Sequence, residues 1–71
     1  MINVYKMAII DVSEDQWIML YNEENKNILL GPQKCSGSHT CANNLVVADS
    51  KQEVEQYILN NQLNYSMEQN N

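Results

Sequence analysis

The seven residues CSGSHTC, 35 to 41, contain both cysteines and the only histidine of the chain. Cys35, His39 and Cys41 carry the sulfur and nitrogen donors that zinc prefers, and a compact turn could gather all three. A closed structural zinc site needs four ligands, usually supplied as two well-spaced pairs, and the spacing here is not such a pair. The fourth ligand would have to be Asp, Glu or a group from a second chain. Zinc therefore enters as an alternative, and the expectation is that no cofactor is bound.

The same residues allow two other kinds of chemistry. A disulfide between Cys35 and Cys41 would close a short loop and stabilise the fold by roughly 2 kcal/mol in the chain-entropy model. A Cys–His nucleophile would need His39 within reach of a thiolate, an orienting group and a substrate cleft, which so small a chain rarely builds. A phosphatase-like loop needs an arginine, and the chain has none. The plainer interpretation is a polar loop over reduced, packed thiols, and we expect the protein not to be an enzyme.

Charge and composition exclude other classes of function. The 71 residues carry nine acidic side chains against four lysines, a net charge of −5. Nucleic-acid binding depends on clustered Lys and Arg, so we expect no nucleic-acid partner. The longest uninterrupted apolar stretches, such as MAII and WIML, are short beside the roughly twenty residues of a membrane helix, and we expect no membrane partner. The chain starts without a signal-like segment, which predicts a cytoplasmic location.

The elements that would position these residues follow from the hydrophobic pattern. Residues 2 to 12, 16 to 21, 28 to 30 and 45 to 48 are rich in β-branched, aromatic and other apolar types and predict four strands. The second and third of these strands flank an Asn-rich turn and are predicted to form a hairpin. The stretch from 31 to 44, which includes the Cys–His segment, is predicted to be the longest irregular part.

A helix is predicted after the last strand. Ser50 followed by Glu53 is typical of a capped helix N-terminus. Val54, Tyr57 and Ile58 share a stripe at helical spacing, which Leu59 and Leu63 widen.

This order predicts an α+β domain over residues 1 to 65: a small antiparallel sheet of three to four strands with one C-terminal helix packed on one face. A small open barrel with the helix plugging one end is the competing architecture. Residues 66 to 71 have little to bury and are predicted to be a frayed tail.

The first two predicted strands contain more apolar residues than one helix can cover. A sheet covered on one face should carry polar residues on the other, yet these strands are apolar on both. One explanation is a curled sheet whose second face is closed by the long loop together with Tyr65 and Met67. The other is an interface with a partner protein or with a second copy of the chain. The candidates for this partner-binding face are Tyr5, Met7, Trp17, Met19 and Tyr21.

The pattern therefore predicts a small acidic protein-binding or regulatory module, either a homodimer or an inhibitor or adaptor of a larger protein. The alternative is a metal- or redox-sensing module that uses Cys35, His39 and Cys41.

Overall fold

A computed structural model describes residues 1–65, which form six strands and one helix. In chain order these are β1 (Asn3–Tyr5), β2 (Ala8–Val12), β3 (Trp17–Tyr21), β4 (Ile28–Gln33), β5 (Gly37–Cys41), β6 (Asn44–Ala48) and α1 (Lys51–Asn60). Four strands form an antiparallel sheet in the order β1-β6-β3-β4, and β2 pairs with β5 in a separate antiparallel sheet. The predicted α+β fold with one C-terminal helix is confirmed.

The predicted hairpin in the middle of the chain is β3–β4. Its turn is built from local hydrogen bonds, in which the Asn22 side-chain oxygen accepts from the backbone N–H groups of Glu24 (2.8 Å) and Asn25 (3.3 Å). Lys26 then adopts a positive φ of 65° and returns the chain to β4. Asn side chains that bond to nearby backbone in this way explain why the turn is so rich in them.

A kink at Met7 divides the first predicted strand into β1 and β2. Met7 has a φ of 56°, a left-handed conformation that costs a non-glycine residue about 1–2 kcal/mol. Before the kink Tyr5 pairs with Leu45 of β6, and after it Ala8 pairs with Cys41 of β5. The strands β1–β2 and β5–β6 are thus the two sides of one bent ribbon. Its β2–β5 half folds over the four-stranded sheet, to which the β1–β6 half belongs.

Two local predictions are corrected by this bend. Residues 2 to 12 were predicted as one strand, but the left-handed turn at Met7 interrupts it. Residues 31 to 44 were predicted as irregular, but β4 continues to Gln33 and the Cys–His segment forms β5. Pairing with the apolar strand β2 gives β5 a ladder, although Gly37 and the polar composition of the segment do not indicate a buried strand.

The helix covers one face of the four-stranded sheet. Ser50 caps it by accepting a hydrogen bond from the backbone N–H of Glu53 at 3.2 Å, and the Glu53 carboxylate accepts from the N–H of Asp49 at 2.9 Å. Val54 is the fully buried helix residue. The buried side chains of this layer are Met19, Tyr21, Ile28, Val46, Ala48, Val54 and Leu63.

The two-stranded sheet covers the other face. A second buried cluster lies between it and the four-stranded sheet and consists of Val12, Ile18, Cys41, Leu45 and Val47. Strand β6 is buried along its whole length because it contributes to both clusters. The molecule therefore has three layers, with the four-stranded sheet in the middle.

The end of the described chain is fastened to the β3–β4 turn. The side-chain nitrogen of Asn64 donates to the carbonyl of Asn25 and to the side-chain oxygen of Asn27, each at 3.1 Å. Backbone bonds from Asn64 to Lys26 (2.7 Å) and from Ile28 to Asn64 (2.8 Å) complete the contact. The tail predicted at 66 to 71 and the predicted role of Met67 lie outside the described residues. Within residues 1–65, α1 is too short and too polar to cross a membrane.

Candidate interaction surface

The Cys–His segment does not form a reactive cluster. Cys41 is buried at the end of β5, and its thiol points at the backbone carbonyls of Ala8 (3.5 Å) and Tyr5 (3.9 Å). Cys35 is exposed just before the strand, and its backbone carbonyl contacts the Nε2 atom of His39 at 2.6 Å. The histidine is therefore engaged by main chain rather than by a thiol.

Neither a metal site nor a disulfide is assembled from these residues. Both cysteines are free thiols, one on the surface and one in the core. Across residues 1–65 no group of three or more His, Cys, Asp or Glu side chains is placed to hold a metal ion. The extended backbone spreads the donors along the chain, because each strand residue adds about 3.3 Å, whereas the compact turn assumed for a zinc site would have gathered them.

The five predicted interface residues do not share one exposed face. Met19 is fully buried and Tyr21 is 8% exposed, because both lie in the core beneath the helix. Trp17 is half-buried against the cluster beneath the helix. Tyr5 is half-buried against the cluster between the two sheets. Met7 is 75% exposed. The premise that one sheet face lacks a cover is corrected: the chain covers it with its own second sheet.

The buried aromatic pair has a structural role. The hydroxyls of Tyr21 and Tyr57 lie 2.9 Å apart, and their rings meet at an angle of 51° with centroids 6.0 Å apart. Burial, helped by this hydrogen bond, raises the pKa of Tyr57 to about 12. The pair ties α1 to β3 and satisfies both hydroxyls, as buried polar groups require.

Trp17, another of the predicted interface residues, is also partly covered by other side chains of the protein. The ammonium groups of Lys34 and Lys51 lie 5.7 and 5.9 Å from the centre of its ring, within the range of cation–π attraction. Two lysine ammonium groups, one from the helix and one from the segment after β4, therefore lie over the indole ring.

The outer face of the two-stranded sheet, formed by β2 and β5, carries large apolar side chains that are exposed. Ile10 faces the core and Ile9 faces outward, with 71% of its surface exposed, because successive strand residues alternate. Met7 at the kink projects beside it. These side chains border an open groove of about 490 Å³, which we call the apolar groove, lined by Met7, Ala8, Ile9, Thr40, Cys41 and Ala42.

A smaller polar pocket adjoins the apolar groove, and Ala42 lines both. Its volume is about 260 Å³, and its lining residues are Lys6, Asn22, Glu23, Glu24, Ala42, Asn43 and Asn44. Lys6 and Glu23 form an ion pair at 2.6 Å across an exposed part of the rim. Their hydrogen bond raises the pKa of Lys6 and lowers the pKa of Glu23, and the charge of Glu24 adds slightly to the effect on Lys6.

A second groove lies beside the helix, between Pro32 and Leu59. Leu59 was predicted to join the buried stripe, but it is 71% exposed. Tyr65 borders this groove and lies directly on Gly31, where a Cβ atom would collide with its hydroxyl.

Comparison of the chain with models of known protein families, with curated proteins and with solved structures finds no match. The surface must therefore be interpreted from its own geometry. Sequence reasoning identified Met7 but missed Ile9, Thr40 and Ala42. The signal for Ile9 was the pair Ile9–Ile10. Consecutive residues of a strand point to opposite faces, so when Ile10 faces the core, Ile9 must face away from it.

Proposed function

We propose that this protein is a small binding module that docks a protein partner in the apolar groove, and that it acts by binding rather than by catalysis. The observation that carries the proposal is the exposure of Met7 (75%) and Ile9 (71%), side by side on one cavity. A patch of adjoining large apolar side chains on a protein surface is typical of a protein interface. Ile9 is β-branched and stiff, so it loses little side-chain entropy when a partner covers it, and the flexible Met7 can adapt to the shape of that partner.

The backbone of Met7 supports this proposal independently. A left-handed conformation at a methionine is unfavourable, and glycine, asparagine or aspartate would adopt it at lower cost. Strained residues that persist in a fold are concentrated at functional positions. Here the strain aims a long, flexible apolar side chain into solvent beside Ile9, where it contributes nothing to the core.

Charge favours a different protein over a second copy of the chain as the partner. The carboxylates of Glu23 and Glu24 line the polar pocket against the single ammonium of Lys6, and exposed Asp11 follows Ile9 by two residues in β2. A symmetric dimer would bring each acidic face against itself, and like charges across an interface repel. A partner with a basic rim around an apolar centre complements this face. The proposal includes a cytoplasmic location, which suits two unpaired thiols.

Comparative capture from the native cell tests the proposal. Tagged wild type, Ile9→Thr and Leu59→Gln are used as baits, since Ile9 and Leu59 are equally exposed but lie on different elements. We expect a basic protein that is retained by wild type and Leu59→Gln and is lost with Ile9→Thr. Equal recovery with all three baits, or sedimentation showing that the chain pairs only with itself, would contradict the proposal.

A further inference from the structure

Asn44 is a largely buried polar residue whose side chain has no hydrogen-bond partner among the described residues. The residue is 6% exposed at the start of β6, where it precedes four buried apolar residues. Its carboxamide makes no hydrogen bond with the described residues 1–65. Yet no polar side-chain atom in that part of the chain is both sealed from solvent and unpartnered. The carboxamide of Asn44 therefore opens into the polar pocket that it lines.

We propose that the polar pocket receives a basic side chain, arginine or lysine, from the partner whose apolar residue occupies the apolar groove. This inference rests on the proposed function and adds the chemistry of the partner. Because Ala42 lines both cavities, neighbouring residues of one partner segment can fill them together.

The charges of the pocket favour a cation as its occupant. Two carboxylates, Glu23 and Glu24, face one ammonium, Lys6, which is already paired with Glu23. The carboxylate of Glu24 forms no ion pair within residues 1–65, and Glu24 lines the same pocket as Lys6. An entering cation would gain the second carboxylate without displacing Lys6.

The oxygen atoms of the pocket favour the same occupant. Asn44 offers a carbonyl oxygen from the buried wall, and Glu24 offers a carboxylate from the rim. A guanidinium group carries five N–H donors in a planar fork and can reach acceptors on two sides at once. Charge-assisted hydrogen bonds of this kind are stronger than neutral ones.

Amide NMR on the isotopically labelled full chain tests the inference with N-acetyl-arginine amide as the probe. The matched control is N-acetyl-citrulline amide, which has the same shape but no charge. We expect saturable shifts of the backbone amides of Asn43 and Asn44 and of the Asn44 side chain with the arginine probe, and none with citrulline. Glu24→Gln should weaken binding roughly tenfold, while Glu55→Gln on the helix should leave it unchanged.

The outcomes separate this inference from the proposed function. Citrulline shifts equal to those of arginine, unchanged binding in Glu24→Gln, or shifts that avoid Asn44 would each overturn the basic-side-chain assignment, even if a partner docks in the apolar groove. Ile9→Thr should lose the partner and still bind the arginine probe. If it keeps the partner while the probe binds at Asn44, the groove proposal fails and the pocket assignment stands.

Discussion

Two consecutive isoleucines of β2 provide a matched test of how the bent ribbon is folded. Ile10 packs against the buried cluster between the two sheets, whereas Ile9 is 71% exposed on the outer face of the two-stranded sheet. Replacing each in turn by threonine keeps the β-branched shape that strands prefer and removes the same apolar group. The two variants therefore differ only in the face on which the change is made.

The expected loss of stability is large at one position and small at the other. Because Ile10 is half-buried, the variant loses only part of the roughly 0.8 kcal/mol for each methylene and of the roughly 1–3 kcal/mol cost of a hydroxyl against apolar neighbours. We expect the free energy of unfolding of Ile10→Thr to fall by about 2 kcal/mol. At Ile9 the change is on the surface, and the effect should stay within about 0.5 kcal/mol.

Urea unfolding followed by the fluorescence of Trp17, the only tryptophan, measures both values. Losses of similar size in the two variants would mean that Ile9 is packed, and the exposed groove would not exist. An Ile10→Thr variant as stable as wild type would mean that the two-stranded sheet does not cover the four-stranded sheet, and the three-layer arrangement would be refuted.

Three further expectations concern single interactions. Ser50→Ala should lower the free energy of unfolding by about 1 kcal/mol, and an unchanged urea midpoint would show that the hydroxyl does not cap α1. Because the pKa of Tyr57 is raised to about 12, its contribution to stability should be complete below about pH 10 and lost as the pH rises to 12. Ultraviolet titration of the phenolate measures this pKa, which Tyr21→Phe should lower only in part, since burial is the larger cause; full restoration to the ordinary value would contradict this. A thiol reagent should modify exposed Cys35 at once and Cys41 only on unfolding, and fast labelling of both would refute the burial of Cys41.

Local signals were sufficient for part of the fold. The Ser50–Glu53 spacing predicted where the helix begins, because capping depends on residues within one turn. The Asn-rich turn predicted the β3–β4 hairpin for the same reason. Both features are determined by neighbours in the chain, and the structure has them where the pattern placed them.

The bent ribbon could not be predicted, and the candidate surface depends on it. Methionine carries no signal for a left-handed backbone, so the kink at Met7 is a consequence of tertiary pairing on both of its sides. A prediction that lacks the kink also lacks the second sheet. The apolar excess of β3 was therefore assigned to an interface instead of to a core. Met19 and Tyr21 were thus predicted to be available to a partner, while Ile9 was not named among the candidates.

The proposed binding at the apolar groove is tested most directly by calorimetric titration of the purified partner into wild type, Met7→Gly and Leu59→Gln. Glycine removes the side chain and accepts the positive φ of position 7, so Met7→Gly should unfold at the same urea concentration as wild type or a higher one. We expect it to bind the partner at least about tenfold more weakly, while Leu59→Gln binds as wild type does. Undiminished binding by Met7→Gly, or a loss of binding in Leu59→Gln alone, would contradict the account.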